Sequence, residues 1–247
     1  MEGESMETPS HLTHKQAVEV ALNDPAVKEQ LARNPLVVQR RRLYSENAAG
    51  LFVDLAAVGF DGLDEVGELR RQGVNYKAAV PILLEWLPRV TYLPLAEDIV
   101  RTLSVPFAKK EALPIFLTMF EEPPVVEDPM RPPTSEPAEE HLRWVFGNGL
   151  GIFADSSVAS RMIDLACSRQ YGQARTEIVV NLPKTKDYRV PFVLLGLLDD
   201  PSVAAFAVQA LGKLKYIEAR PKIAELMSHS DRNVRDQAKK ALKRIDG

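Results

Sequence analysis

One helical register returns five times along this chain, and few folds can accommodate that. Segments that begin at Pro81, Pro114, Ser160, Pro191 and Pro221 share an apolar pattern. Two residues on stand Leu83, Phe116, Met162, Val193 and Ile223. Three on stand Leu84, Leu117, Ile163, Leu194 and Ala224, and six on stand Leu87, Phe120, Ala166, Leu197 and Met227. Offsets of two, three and six share one face of an α-helix. Four of the five segments start on proline, whose missing N–H costs nothing in a first helical turn.

A second helix follows each of these. Its anchors are Leu95, Leu142, Ala174, Val203 and Val234. Four residues on stand Ile99, Phe146, Ile178, Ala207 and Ala238, and eight on stand Leu103, Leu150, Leu182, Leu211 and Leu242. That spacing is again a single stripe. Thr102, Gly149, Asn181, Ala210 and Ala241 add a small or polar residue at one fixed place, which suits close helix approach. A helical hairpin cannot bury its own apolar face, so such units must stack. The expectation is an all-α array, and the 7% aromatic content of the chain agrees with it.

The run Asp199-Asp200-Pro201-Ser202-Val203, continued by Ala207 and Ala210-Leu211-Gly212-Lys213-Leu214, resembles a HEAT repeat of the short, phycobilisome-lyase-like kind. So does Asp231-Arg232-Asn233-Val234-Arg235 with Ala238 and Ala241-Leu242. The likeness spans roughly residues 74 to 246, and is closest in the last two units. The whole is similar to bacterial HEAT-repeat proteins without an assigned activity. The resemblance implies a right-handed α-solenoid of about five HEAT-like helical hairpins and a binding surface, but no reaction.

Upstream, residues 13–73 read as an N-terminal helical cap over the open end of residues 74–247, behind a frayed tail at 1–12. Thr13 opens a helix through Leu22. Asp24-Pro25 and Asn34-Pro35 are cap-and-proline starts, the second for a helix running towards Val58. Its expected stripe is Val38, Leu43, Leu51, Val53, Leu55 and Val58, with Gly50 an irregularity. A break at Gly59–Gly62 precedes a helix from Leu63 to Arg71.

Residues 121–140 interrupt the array with six prolines, seven acids and one base, Arg131. They cannot form a continuous helix. This acidic, proline-rich loop is expected at the surface, either floppy or in contact with a partner or the chain itself.

The search for chemistry returns little. One cysteine, Cys167, excludes an internal disulfide framework and a cysteine-rich zinc site, and reads as a packing residue. His11, His14, His141 and His229 show no metal-binding spacing. Gly147-Asn148-Gly149-Leu150-Gly151 lies inside a second helix, not between strand and helix, and reads as close packing rather than a nucleotide loop. No catalytic residue, cofactor or metal is expected. The longest charge-free apolar run, from Trp144 to Ala154, falls short of a membrane span, and the N-terminus lacks a signal-type apolar core. A cytoplasmic location without membrane contact is the default.

Arg143, Arg175 and Arg235 share one register position, directly after a second-helix anchor. With Asp200 and Asp231 in the turns they read as an inter-repeat Asp–Arg ladder, a structural device. The net charge of −3 averages +5 in residues 211–247 and −8 before them, so nucleic acid is disfavoured as a partner.

In the HEAT family the second helices line the concave face. Carried onto this chain, that face offers Arg101, Trp144, Asn148, Glu177, Phe206, Gln209 and Lys240 as candidate partner-binding residues. The leading reading is a non-enzymatic scaffold or adaptor with a protein partner. The alternative is a HEAT-fold enzyme or nucleic-acid-binding protein, like the alkylpurine DNA glycosylases or the bilin lyases. A homo-oligomer built through the open ends is a third reading, and the oligomeric state stays open.

Overall fold

A computed structural model describes residues 33–247 together with Asp24, Pro25, Val27 and Glu29. The expected tail at 1–12, the helix from Thr13 to Leu22, and His11 and His14 lie outside the described residues. By internal contacts the chain divides into residues 1–46 and residues 47–247. The described residues contain twelve α-helices and no strand beyond one isolated bridge, Tyr92 with Glu127.

The first helix, α1 (Pro35–Ala57), starts where the sequence caps it: the Leu36 N–H donates to Asn34 Oδ1 at 3.0 Å. Its buried positions are Tyr44, Ala48, Leu51 and Leu55, spaced four, three and four apart. This corrects the expected stripe, because Val38, Val53 and Val58 are exposed. Gly50 is not a kink. A Cβ there would stand 2.6 Å from the Trp86 ring, so the glycine is a notch for the indole, whose Nε1–H donates to Asp54 Oδ2 at 2.7 Å. The helix ends at left-handed glycines, Gly59 (φ 94°) and Gly62 (φ 65°). The helix expected over Leu63–Arg71 shortens to α2 (Glu68–Arg71). Its entry is fixed instead by Asp98, which accepts the Gly67 N–H at 2.7 Å and pairs with Arg70 at 2.9 Å.

From Lys77 onward, helices alternate. First helices are α3 (Val80–Trp86), α5 (Lys109–Glu121), α7 (Ala159–Cys167), α9 (Val190–Gly196) and α11 (Arg220–Glu225). Second helices are α4 (Leu93–Leu103), α6 (Ala138–Phe153), α8 (Thr176–Asn181), α10 (Ala204–Leu214) and α12 (Arg232–Asp246). Each first helix packs on the second helix that follows it, and the second helices pack in succession from α4 to α12. Pro81, Pro191 and Pro221 sit in first turns. Pro114 does not: α5 begins five residues earlier, after a 3-10 turn at Pro106–Ala108, and carries that proline inside.

The stripe positions form the core. Of the second-helix anchors and their four- and eight-residue partners, all but Leu242 are buried. Among first helices the exposed members are Ala224 on α11 and Met227 in the 3-10 turn that follows it, Leu226–Ser228. The glycine run of α6 is packing, as its position inside a helix implies. A Cβ on Gly147 would lie 2.3 Å from the Ala174 carbonyl oxygen, and one on Gly151 would lie 2.8 Å from that of Glu177. A Cβ on Gly149 would lie 2.5 Å from the Phe116 ring. In α10, Gly212 makes the same kind of room for Ala241 of α12 at 2.8 Å.

Candidate functional site

The three register arginines share a role that the sequence does not display. Each reaches back to backbone carbonyl oxygens: Arg143 and Arg175 to those at the end of the first helix of their own hairpin, Arg235 to those of the turn between its two helices. Arg143 donates to the Phe120 and Glu121 carbonyls, Arg175 to that of Ala166, and Arg235 to those of His229 and Ser230. Helix C-termini leave such carbonyls unsatisfied, and a guanidinium has the donors and the charge to serve them. One Asp–Arg rung forms: Arg175 meets Asp200 at 2.9 Å, with the arginine side chain fully buried. Arg143 pairs instead with Glu140 in its own helix. Asp231 caps α12 by accepting the Asn233 N–H at 2.7 Å. Burial works against the Asp200 carboxylate, but hydrogen bonds from Arg175 and the Ser202 N–H outweigh it and hold the group below the usual carboxylate range.

The acidic, proline-rich loop is pinned rather than floppy. The Glu127 N–H donates to the Thr91 carbonyl at 2.7 Å, and the Leu93 N–H donates to the Glu127 carbonyl at 2.9 Å. Val126 is buried beside this bridge. Further on, Arg131 donates to the Glu136 carbonyl at 3.1 Å. The Glu136 carboxylate then meets His141 Nδ1 at 3.0 Å, where α6 begins.

That histidine leads to the most elaborate polar cluster among the second helices. His141 Nε2 lies 2.7 Å from Glu97 Oε1 of α4, so the ring bridges two carboxylates. Glu97 also pairs with Arg101 at 3.3 Å. The Arg101 guanidinium stands 6.0 Å from the centre of the Trp144 ring, and the His141 ring 5.9 Å from it on an inclined plane. The indole is half-buried, held between two cationic or polar partners. One turn along α6, the Asn148 Oδ1 atom is buried without a hydrogen-bond partner.

The candidate residues therefore separate. Arg101, Trp144 and Asn148 belong to one stretch of α4 and α6. Glu177, one hairpin on, lies 3.2 Å from the Asn181 amide of its own helix. Phe206 is half-buried and packs against the cluster of Ala204, Ala205 and Val234. Gln209 is half-buried on α10 and Lys240 exposed on α12. Sequence reasoning missed Glu97, His141 and Glu136 as a set. The i to i+4 spacing of Glu97 and Arg101 was legible, but the approach of the loop to α4 was not.

Cys167 is exposed, not packed. Desolvation of its sulfur and the nearby Asp164 carboxylate raise the thiol. Among the described residues no group of three or more His, Cys, Asp or Glu is placed to hold a metal ion, and no helix is long and apolar enough to cross a membrane.

Residues 190–247, the stretch from α9 through α12, match a family model described as HEAT repeats. No curated protein and no solved structure matches the chain.

Proposed function

We propose that this chain is a non-enzymatic scaffold whose second helices form the concave face of a right-handed solenoid and bind a protein partner there. Five HEAT-like hairpins within residues 74–247 make up the array. HEAT repeats commonly serve in protein interaction, which supports the reading without naming the partner. The observation that carries it is the Trp144 indole: a large, rigid, half-exposed ring held by Arg101 and His141, beside an unsatisfied acceptor on Asn148. Tryptophan and arginine in such settings dominate protein interfaces. Binding is centred on α4 and α6, with Glu177, Gln209 and Lys240 contributing towards the rim.

The test is a photo-crosslinking residue placed at Asn148, with mass spectrometry of what it captures in cells. Trp144→Ala should reduce recovery of that protein by roughly tenfold or more, the scale of an interface hot spot. Equal recovery from Trp144→Ala would remove the surface proposed here.

A further inference from the structure

On the first-helix side, a second surface joins bare rings to exposed cations. Tyr188, Phe192 and Ile217 are 81%, 65% and 68% exposed. Tyr188 and Phe192 are four residues apart across the start of α9, and Phe192 meets the Tyr216 ring edge-on at 6.5 Å. Ile217 is the next residue in the chain. Lys186, Lys213 and Lys215 flank these side chains in sequence, and all three are exposed. Of the nearby acids, Asp187 is held by Arg189 at 2.8 Å, and Glu218 follows Ile217.

Two of the lysines occupy a conformation that lysine does not favour. Lys186 (φ 57°) and Lys215 (φ 51°) are left-handed, each just past the last turn of a second helix in consecutive hairpins. Glycine is the ordinary residue at such a turn because it alone meets no Cβ clash. Lysine at both turns sets a charge two residues before Tyr188 and directly before Tyr216 in the chain, despite the strained backbone.

The chain itself carries a complement. In the inserted loop Val125 is 72% exposed. It follows Pro123 and Pro124, and the exposed acids Glu122 and Glu127 stand on either side. Proline-rich segments dock on exposed aromatic rings with little entropy left to lose, and the charges here are opposite. We propose that the Glu122–Glu127 segment of one copy docks on the Tyr188–Phe192–Ile217 surface of a second copy, its acids facing Lys186 and Lys215. The two surfaces differ, so the contact is head-to-tail and builds chains or closed rings. It does not involve the second-helix face.

Sedimentation velocity between about 5 and 500 µM tests this, run at about 20 mM and about 500 mM salt, where screening differs several-fold. Association should appear at low salt and weaken at least tenfold at high salt. Phe192→Ser should weaken it as much. The decisive arm uses two charge-reversed proteins, Lys186→Glu with Lys215→Glu, and Glu122→Lys with Glu127→Lys. Each alone should be monomeric, because like charges then face each other. Their mixture should associate, because both of its contacts are complementary again. A wild-type chain monomeric throughout overturns the proposal. So does association that strengthens with salt, the mark of two apolar patches meeting, and so does a mixture that stays monomeric, which would show that the loop is not the occupant.

Discussion

The last two hairpins, residues 190–247, and the two before them, residues 106–185, use one register but are held by different means. In the last two, small residues bring the second helices together: Ala204, Ala205 and Val234 form a cluster, and Gly212 meets Ala241. In the earlier pair, rings fill the space. Phe116 packs on Phe146 and Phe153 at 5.3 and 5.4 Å, and Phe120 on Tyr171 at 5.0 Å. Polar pins then fix the irregular parts: Lys109 to Asp155, Arg161 to Glu121, and Arg143 to the end of α5. The family model matches the small-residue region, while the Trp144 cluster and the inserted loop lie in or beside the aromatic one. Regularity and specific chemistry are thus segregated.

The contrast is broken most severely where the regions join. Arg175 of the earlier pair and Asp200 of the later one form a buried ion pair, so Arg175→Met leaves the buried carboxylate only the exposed Arg169 at 3.8 Å and the Ser202 N–H at 3.0 Å. Urea unfolding should show a loss of about 3–5 kcal/mol. The double variant Arg175→Met with Asp200→Leu should recover much of it, since an apolar pair of matching volume needs no charge partner. Failure of the double variant to recover would mean that the carbonyl contacts of Arg175, not the pair, carry the loss.

A matched pair of substitutions sharpens the comparison. Gly147→Ala drives a methyl into a backbone carbonyl that cannot turn away, and should cost about 3 kcal/mol. Gly212→Ala would bring its methyl to 2.8 Å from the Ala241 Cα and Cβ, a wider approach than the 2.3 Å at Gly147, and should cost about 1–2 kcal/mol. Equal losses would show that the closer approach at Gly147 does not set the cost. Smaller still, Asp231→Ala removes the α12 cap and should lower stability by about 1 kcal/mol.

The smallest effect is acidic. Asp155, accepting from Lys109 and Ser157, and Asp187, accepting from Arg189, are each lowered from 3.8 to about 2. Groups whose folded values are depressed stabilise the fold above the unfolded value and lose that contribution as pH falls through the folded one. Stability should therefore decline between pH 3.8 and about 2, and Asp155→Asn should flatten the upstream share of that decline. A pH profile identical in the variant would show that Asp155 contributes nothing.

Much of this was legible in the sequence. Fourteen of the fifteen second-helix stripe positions are buried because a fixed spacing on a stacked helix leaves no alternative. The stripe of α1 was misread because Val38 and Val53 are apolar yet face away, while Tyr44 and Ala48 lie on the buried line. Apolarity alone does not set phase in a helix with few polar landmarks on its inner side. The candidate site was legible in part. Arg101, Trp144 and Asn148 follow from register, but Glu136 reaches His141 only through the fold of a loop that has no periodicity to read. Phe206, which stands out in the pattern, is half-buried against the cluster of Ala204, Ala205 and Val234, a contact that register alone does not display.

The exposed Cys167 gives the chain a use its sequence does not advertise. It is the one thiol in 247 residues, and it follows Ala166, whose carbonyl accepts from Arg175 at the junction of the two regions. A single maleimide dye therefore labels this protein at one defined point, without mutagenesis. Because the thiol is raised and only the thiolate reacts, labelling should quicken with increasing pH. The attached fluorophore would sit at the seam, ready to signal when the aromatic and small-residue halves of the array part company.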